Sequence, residues 1–272
     1  LECWNLGGLS SILLLTAGCA TREPNVRLFD WERGVGVESL EQPDMAMYLW
    51  FYEWNMFEAV QPGEHTNGDY KRFAHELSAN RHEMWIRAED MSLKATAARD
   101  GAELELTITN TSGHDWPDVA GIIPCFNPGP IEQRNPHFAN TNTYFVGPEG
   151  LGKQDAREIH FNSAFRPQID ARSRDGRFAF THKWPTSPVD ATAGVLLRES
   201  DDGVWVTGIA WKRFLSAQGH NPWQCMHLCI RVGPLHPGES RTIRGRIYLM
   251  KGDRHTLLRR CLRDDLLAPD RS

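Results

Sequence analysis

The chain of 272 residues has no excess of basic residues: its formal charge is −5, and Lys and Arg are scattered rather than clustered. Binding along a phosphate backbone releases counterions only where several cations act together, so nucleic acid is not expected as a partner. No segment beyond the first twenty residues reaches the ~18–20 consecutive apolar residues that cross a bilayer as a helix. Phosphate-cradling, dinucleotide and Gly-x-Ser-x-Gly fingerprints are all missing, which gives no support to nucleotide, nicotinamide or serine-hydrolase chemistry. Neither His-x-His nor Cys-x-x-Cys occurs, so no metal and no other cofactor is expected. Low-complexity tracts, long linkers and internal repeats are absent as well.

Six cysteines are present, at 3, 19, 125, 225, 229 and 261. Cys225 and Cys229 fall on one expected strand, ~13 Å apart at ~3.3 Å per residue, too far for direct pairing. A disulfide framework is not indicated.

What the chain does have is material for a core, with 40% hydrophobic and 24% charged residues, and a recurrent alternation with period two. Segments such as Tyr48 to Phe57, Glu83 to Arg87, Ser92 to Ala97, Glu103 to Asn110, Ala193 to Glu199, Val204 to Trp211, Met226 to Val232 and Arg241 to Met250 read as strands between turns. Asp100-Gly101 and Asp202-Gly203 mark two tight hairpins, because glycine supplies the positive φ that such reversals need. The expected fold is therefore all-β, a large antiparallel β-sandwich. Helical spacing is confined to a short stretch at 70–77 and to a C-terminal helix within 253–267, which is expected to cover an edge or end of the sandwich. Residues 20–45 read as a lead-in, 46–272 as one domain, and 128–173 as its most irregular part.

Near the start, the apolar run Leu9 to Leu15 precedes Thr16-Ala17-Gly18-Cys19. This resembles the lipobox of bacterial lipoprotein signal peptides, with Thr16 where Leu is usual and without a basic leader. The resemblance implies a signal segment over 1–19, lipidation at Cys19, and an extracytoplasmic protein, periplasmic or held to a membrane only by lipid. The alternative is a buried strand or helix at 9–15.

Leu104 to Asn127 reads Leu-Glu-Leu-Thr-Ile-Thr-Asn-Thr-Ser-Gly-His-Asp-Trp-Pro-Asp-Val-Ala-Gly-Ile-Ile-Pro-Cys-Phe-Asn, and Gly233 to Ser240 forms a Pro-Gly-Glu turn before a closing strand. These segments resemble the galactose mutarotase-like, or aldose epimerase-type, supersandwich. The resemblance implies that fold and a carbohydrate ligand. It does not carry the epimerase reaction across, because the family's box histidine is replaced by Ile123, whose aliphatic side chain relays no proton.

The candidate site residues come from two groups. Tyr48 to Phe57 alternates aromatic residues at 48, 50, 52 and 54, most of them expected to line the core, while Glu53 and Asn55 share the opposite face. Glu53 is the first candidate for a general acid or base, with Trp54 and Asn55 as binding residues. The second group, Trp211 and Lys212 followed by Gln218, His220, Asn221, Trp223, Gln224 and His227, mixes rings with hydrogen-bonding side chains; His182, Lys183 and Trp184 repeat the theme. Pyranose faces stack on aromatic rings and their hydroxyls require partners. Glu53, His182, His220 and His227 are thus the catalytic candidates for a glycoside hydrolase, lyase or epimerase-like reaction. A non-catalytic carbohydrate-binding or envelope accessory lipoprotein is the alternative.

Overall fold

The computed structural model describes residues 23–31, 34–50, 56–57, 73–128, 137–174 and 184–267. The chain opens with three antiparallel strands, β1 (Val26–Trp31), β2 (Gly34–Ser39) and β3 (Ala46–Trp50), then the two-residue β4 (Met56–Phe57). A second meander follows: β5 (Ala74–Leu77), β6 (Glu83–Arg87), β7 (Met91–Ala98) and β8 (Gly101–Thr109). Next come β9 (Gly121–Ile122), β10 (Cys125–Pro128), β11 (Thr143–Gly147), β12 (Gly150–Lys153), β13 (Ile159–Phe161) and the helix α1 (Arg166–Arg174). The last part holds β14 (Ala193–Glu199), β15 (Trp205–Trp211), β16 (Phe214–Gln218), β17 (Met226–Arg231), β18 (Ser240–Lys251) and α2 (Arg254–Arg263).

These strands form two antiparallel sheets packed as a sandwich. Sheet A runs β1-β2-β3-β10-β17-β16-β13, with β9 pairing both β17 and β4; sheet B runs β12-β11-β14-β15-β18-β8-β7-β6-β5. Alternation fills the space between them. Met47, Leu49, Phe126, Met226, Leu228 and Ile230 project from sheet A into one cluster with Leu93, Leu104, Leu106, Leu196, Ile209, Trp211 and Ile247 of sheet B. Each fully buried aliphatic or aromatic side chain of this kind contributes ~1.5–3 kcal/mol of transfer free energy. Trp211 lies flat where Gly245 leaves room; a Cβ on Gly245 would sit 2.2 Å from the ring.

Both expected hairpins form, joining β7 to β8 and β14 to β15, with positive φ at Gly101 (138°) and Gly203 (70°). Other expectations change. The helix expected at 70–77 is strand β5 over Ala74–Leu77, where pairing with β6 outweighs local helical spacing. Val26–Trp31 and Gly34–Ser39, read as part of a lead-in, are sheet strands, since Val26, Leu28, Val35 and Val37 all reach the core. The stretch 128–173 contains β11, β12, β13 and α1. The C-terminal helix is present but covers neither edge nor end. Capped by Asp253, which accepts from the Thr256 amide at 2.7 Å, α2 sets Leu257 and Cys261 on the outer face of sheet B against Val195, Leu197, Val206 and Ala210.

A charge network fastens that helix. Asp100, in the β7–β8 turn, accepts from Arg246 Nη2 and from Arg260 Nε, each at 2.6 Å, while Tyr248 donates its hydroxyl to Asp264 at 2.8 Å. Burial alone would raise the Asp100 carboxyl, but the hydrogen bond from Arg260 and the charges of Arg246 and Arg260 outweigh it and hold it below its ordinary range. At the other end, the β5–β6 turn reaches across to sheet A: Arg81 O accepts from the Leu28 amide at 2.9 Å, and Arg81 Nε donates to Leu28 O at 2.8 Å.

Candidate functional site

The side chains that chemistry would use gather on the outer face of sheet A. Since Met47, Leu49, Phe126, Met226 and Leu228 point into the core, strand alternation turns Tyr48, Trp50, Cys125, Asn127 and His227 the other way. The pairing register aligns them: Trp31, Gly34, Trp50, Cys125, His227, Gln218 and Ile159 stand opposite one another in succession across β1, β2, β3, β10, β17, β16 and β13. A neighbouring row carries Phe29, Gly36, Tyr48 and Asn127.

Glycine makes the aromatic end of this face possible. Trp31 and Tyr48 belong to strands two apart, yet their rings stack at 4.9 Å between centroids because β2, running between them, presents Gly34 and Gly36. A Cβ on Gly36 would lie 2.1 Å from the Phe29 ring. Trp50 continues the series 6.2 Å from Tyr48. The structure thus puts the rings at 48 and 50 on the face away from the core, the reverse of the parity expected for them.

At the polar end, His227 lies 5.8 Å from the Trp184 ring, and the guanidinium of Arg157 sits 4.7 Å from Trp184 and 4.9 Å from Trp223. Trp223 is 53% exposed and rims the group. Buried Gln218 donates to Ser216 Oγ at 3.2 Å. The turn before β17 is built by polar contacts. Asn221 accepts at its Oδ1 from the Trp223 amide at 3.0 Å and donates to Cys225 O at 2.7 Å; Asn140 donates to Asn221 O at 2.7 Å. His220 (φ 51°) and Gln224 (φ 59°) are both left-handed in this turn, a conformation that costs non-glycine residues ~1 kcal/mol or more and persists only where the surroundings impose it. Arg198, wholly buried on β14, imposes part of it. It donates to Thr143 Oγ1 (2.8 Å), Asn140 Oδ1 (3.0 Å) and Gln224 O (2.8 Å), and burial draws its guanidinium down to about 10.

Among the described residues, Cys125, Cys225 and His227 are the group whose ligand atoms all lie within 4.8 Å of one another. Cys125 receives a hydrogen bond from Asn127 Nδ2 at 3.1 Å, and Cys225 Sγ lies 3.6 Å from Asn221 Oδ1. No disulfide is formed among the described cysteines. Cys229 and Cys261 differ in kind: they sit in hydrophobic clusters, where burial pushes the Cys229 thiol well up and that of Cys261 up to about 12.

Of the residues expected to form a site, His227, Gln218, Asn221, Trp223, Gln224 and Trp184 are brought to this face or its bordering turn, with His220 in the same turn. Two are not. Trp211 is fully buried between the sheets, where its alternation with Ala210 on the covered strand β15 directs it. Lys212 is drawn to the opposite layer, its Nζ 2.8 Å from Asp265 Oδ2 beyond α2. Glu53, Trp54, Asn55, His182, Lys183 and Cys19 lie outside the described residues. Ile123 packs in an apolar cluster with Val119, Phe161 and Leu215. Sequence reasoning passed over Cys125, Cys225, Asn127, Arg157 and Arg198. The spacing Cys225-Met226-His227 was a signal for Cys225, whereas Cys125 meets them only through the β10–β17 pairing. A polar groove of about 650 Å³ on sheet B, lined by Lys94, Glu103, Glu105, Arg244, Arg246 and Asp264, lies away from this face, and its charges are largely committed to ion pairs.

No family model matches the chain, and no curated protein matches it in sequence. Solved structures do. A putative aldose 1-epimerase from Escherichia coli K12 is 10% identical, with 83% of this chain and 99% of that chain covered and a TM-score of 0.39. A galactose mutarotase related enzyme from Lactobacillus acidophilus is 9% identical over 84% and 98%, with a TM-score of 0.39. A polysaccharide lyase is 11% identical over 87% of this chain and 35% of its own, with a TM-score of 0.44. These are likenesses of sandwich architecture, and no residue role is taken from them.

Proposed function

We propose that this protein is an extracytoplasmic carbohydrate-active protein that engages a glycan on the outer face of sheet A. The observation that carries the reading is the continuity of that face. Rings at Trp31, Tyr48 and Trp50 run in register into Asn127, His227 and Gln218, then to Trp184, Arg157 and Trp223. Flat rings beside buried amides suit an amphipathic ligand with an apolar face and hydroxylated edges. Arg157 adds a fixed cation suited to a uronate carboxylate. The sequence resemblance at Leu104 to Asn127 points to the same ligand class.

In the catalytic form of this reading, Glu53 is the acid or base, with His182, His220 or His227 as its partner. Ile123, standing where the resembled family has its histidine, favours the second form: a carbohydrate-binding accessory protein anchored through lipid on Cys19. Screening neutral and uronate-bearing oligosaccharides with product analysis separates the two. Glycan retention that falls about tenfold in Trp223→Ala supports the face as the binding site; a loss of ~1.4 kcal/mol is within reach of one stacking ring. Turnover that vanishes in Glu53→Gln supports catalysis, and retention without product supports binding alone. No retained glycan of either class overturns the proposal.

A further inference from the structure

We propose that Cys125, Cys225 and His227 form a three-ligand site for one zinc ion, leaving the fourth tetrahedral position to a water or other exogenous ligand. The register creates the site. Cys125 on β10 is paired directly with His227 on β17, and Cys225 precedes His227 by two residues. The pairing sets Cys125 and His227 side by side on one face of the sheet, and the turn that leads into β17 brings the Cys225 thiol to them. Their ligand atoms lie within 4.8 Å of one another and all three residues are buried. Contraction by less than the length of a bond brings such a triangle to the spacing of ligands around a single ion, with sulfur at ~2.3 Å and nitrogen at ~2.0 Å from zinc.

The ordinary role of a buried cysteine is to fill apolar space, and Cys229 and Cys261 do that within hydrophobic clusters. Among the described residues, Cys125 and Cys225 belong to no hydrophobic cluster. Their neighbours are the groups that surround metal-bound thiolates: Asn127 donates an N–H to Cys125 Sγ, and the buried guanidinium of Arg198 is fixed by a hydrogen bond to Gln224, one peptide from Cys225. An N–H donor and a nearby cation both offset the charge of two thiolates in a covered site. Two thiolates and one imidazole are also a soft donor set, which selects zinc over magnesium or calcium. The three groups bind as two thiolates and a neutral imidazole, so zinc entry releases protons to solvent and tightens as pH rises.

The test uses the full chain, reduced and stripped with a chelator, titrated with Co²⁺ and then with Zn²⁺. One equivalent of cobalt should produce a thiolate-to-metal charge-transfer band with the intense visible spectrum of a four-coordinate ion, and zinc should bleach both. Cys225→Ser and His227→Gln should each lose the spectrum while circular dichroism stays that of the parent. Asn127→Ala should weaken zinc about 10- to 100-fold, and Cys229→Ala should leave the stoichiometry at one. Absence of the charge-transfer band from the folded, reduced parent overturns the site. So does a spectrum that survives loss of both Cys225 and His227, or a native Cys125–Cys225 disulfide found by peptide mapping. The measurement involves no saccharide, so its outcome stands apart from that of the glycan screen.

Discussion

Arg198 donates from Nη1 to the carbonyl of Gln224 at 2.8 Å, tying strand β14 of one sheet to the turn that delivers Cys225 and His227 to the other. The guanidinium reaches Thr143 and Asn140 from its other nitrogens, so one planar group fixes three segments. Lysine keeps the charge but cannot match these directions. Arg198→Lys should lower unfolding free energy in urea by about 2–4 kcal/mol, consistent with losing hydrogen bonds of a charged donor. It should also shift the fluorescence of Trp223, whose turn loses its anchor.

Removing the carboxylate at Asp100 leaves Arg246, with a side chain 5% exposed, without its closest partner. Loss of one member of a buried pair typically costs about 3–5 kcal/mol. Asp100→Asn, which retains shape, should cost somewhat less, near 3 kcal/mol. Hydrogen exchange should then rise first in α2, which Asp100 holds through Arg260. Because the carboxyl is held below the ordinary carboxylate value of 3.8, its contribution is complete above that pH and fades as pH falls through the lower folded value.

His160 stacks on Phe145 with centroids 3.8 Å apart and bonds through Nδ1 to Val189 O at 2.8 Å. Burial holds its imidazole below the ordinary histidine value of 6.5, against the opposing pull of Val189 O, Glu158 and Asp190. Above that pH both folded and unfolded states are neutral here and no dependence arises. Below it the unfolded chain gains a proton that the folded chain refuses, so stability declines until the folded value is passed. Thermal midpoints of wild type and His160→Asn, compared from pH 7.5 to pH 5, should converge as the pH is lowered if this histidine is responsible; parallel curves would reject it.

Gly36→Ala places a methyl group 2.1 Å from the Phe29 ring. The ring must move, and with it the neighbouring Trp31–Tyr48 stack. We expect a loss of about 1–3 kcal/mol, the usual range for overpacking, together with a changed near-ultraviolet circular dichroism spectrum. Gly113→Ala, at a position with open space around it, serves as the control.

The sandwich was legible because its signals are local: alternation in β7, β8 and the first half of β18, apolar β-branched runs in the doubly covered β14 and β15, and glycine at two reversals, at Gly101 and Gly203. Less of the site was. Polar residues near His227 could be read as a cluster because they are close in sequence. Trp211 sits seven residues from Gln218 but on the opposite side of a strand layer, and only the face assignment of β15 tells them apart. Cys125 comes 100 positions before Cys225, and nothing short of the β10–β17 pairing brings the two together. The β5 segment shows the complementary failure, since a four-residue strand draws its conformation from its neighbour β6.

The contact between Arg81 and Leu28 bears on how copies of this molecule behave toward one another. A terminal strand with a bare row of amides is a template for fibrillar growth. Here β1 has its middle occupied by a turn of the opposing sheet, and β13 at the far margin is flanked by the segment 186–191, whose Ser187 and Ala191 amides bond to it. Sheet B ends at either side in strands of only four residues. Strand-by-strand polymerisation therefore finds little purchase on the described margins, and severing the Arg81 clasp would expose the first place where it could begin.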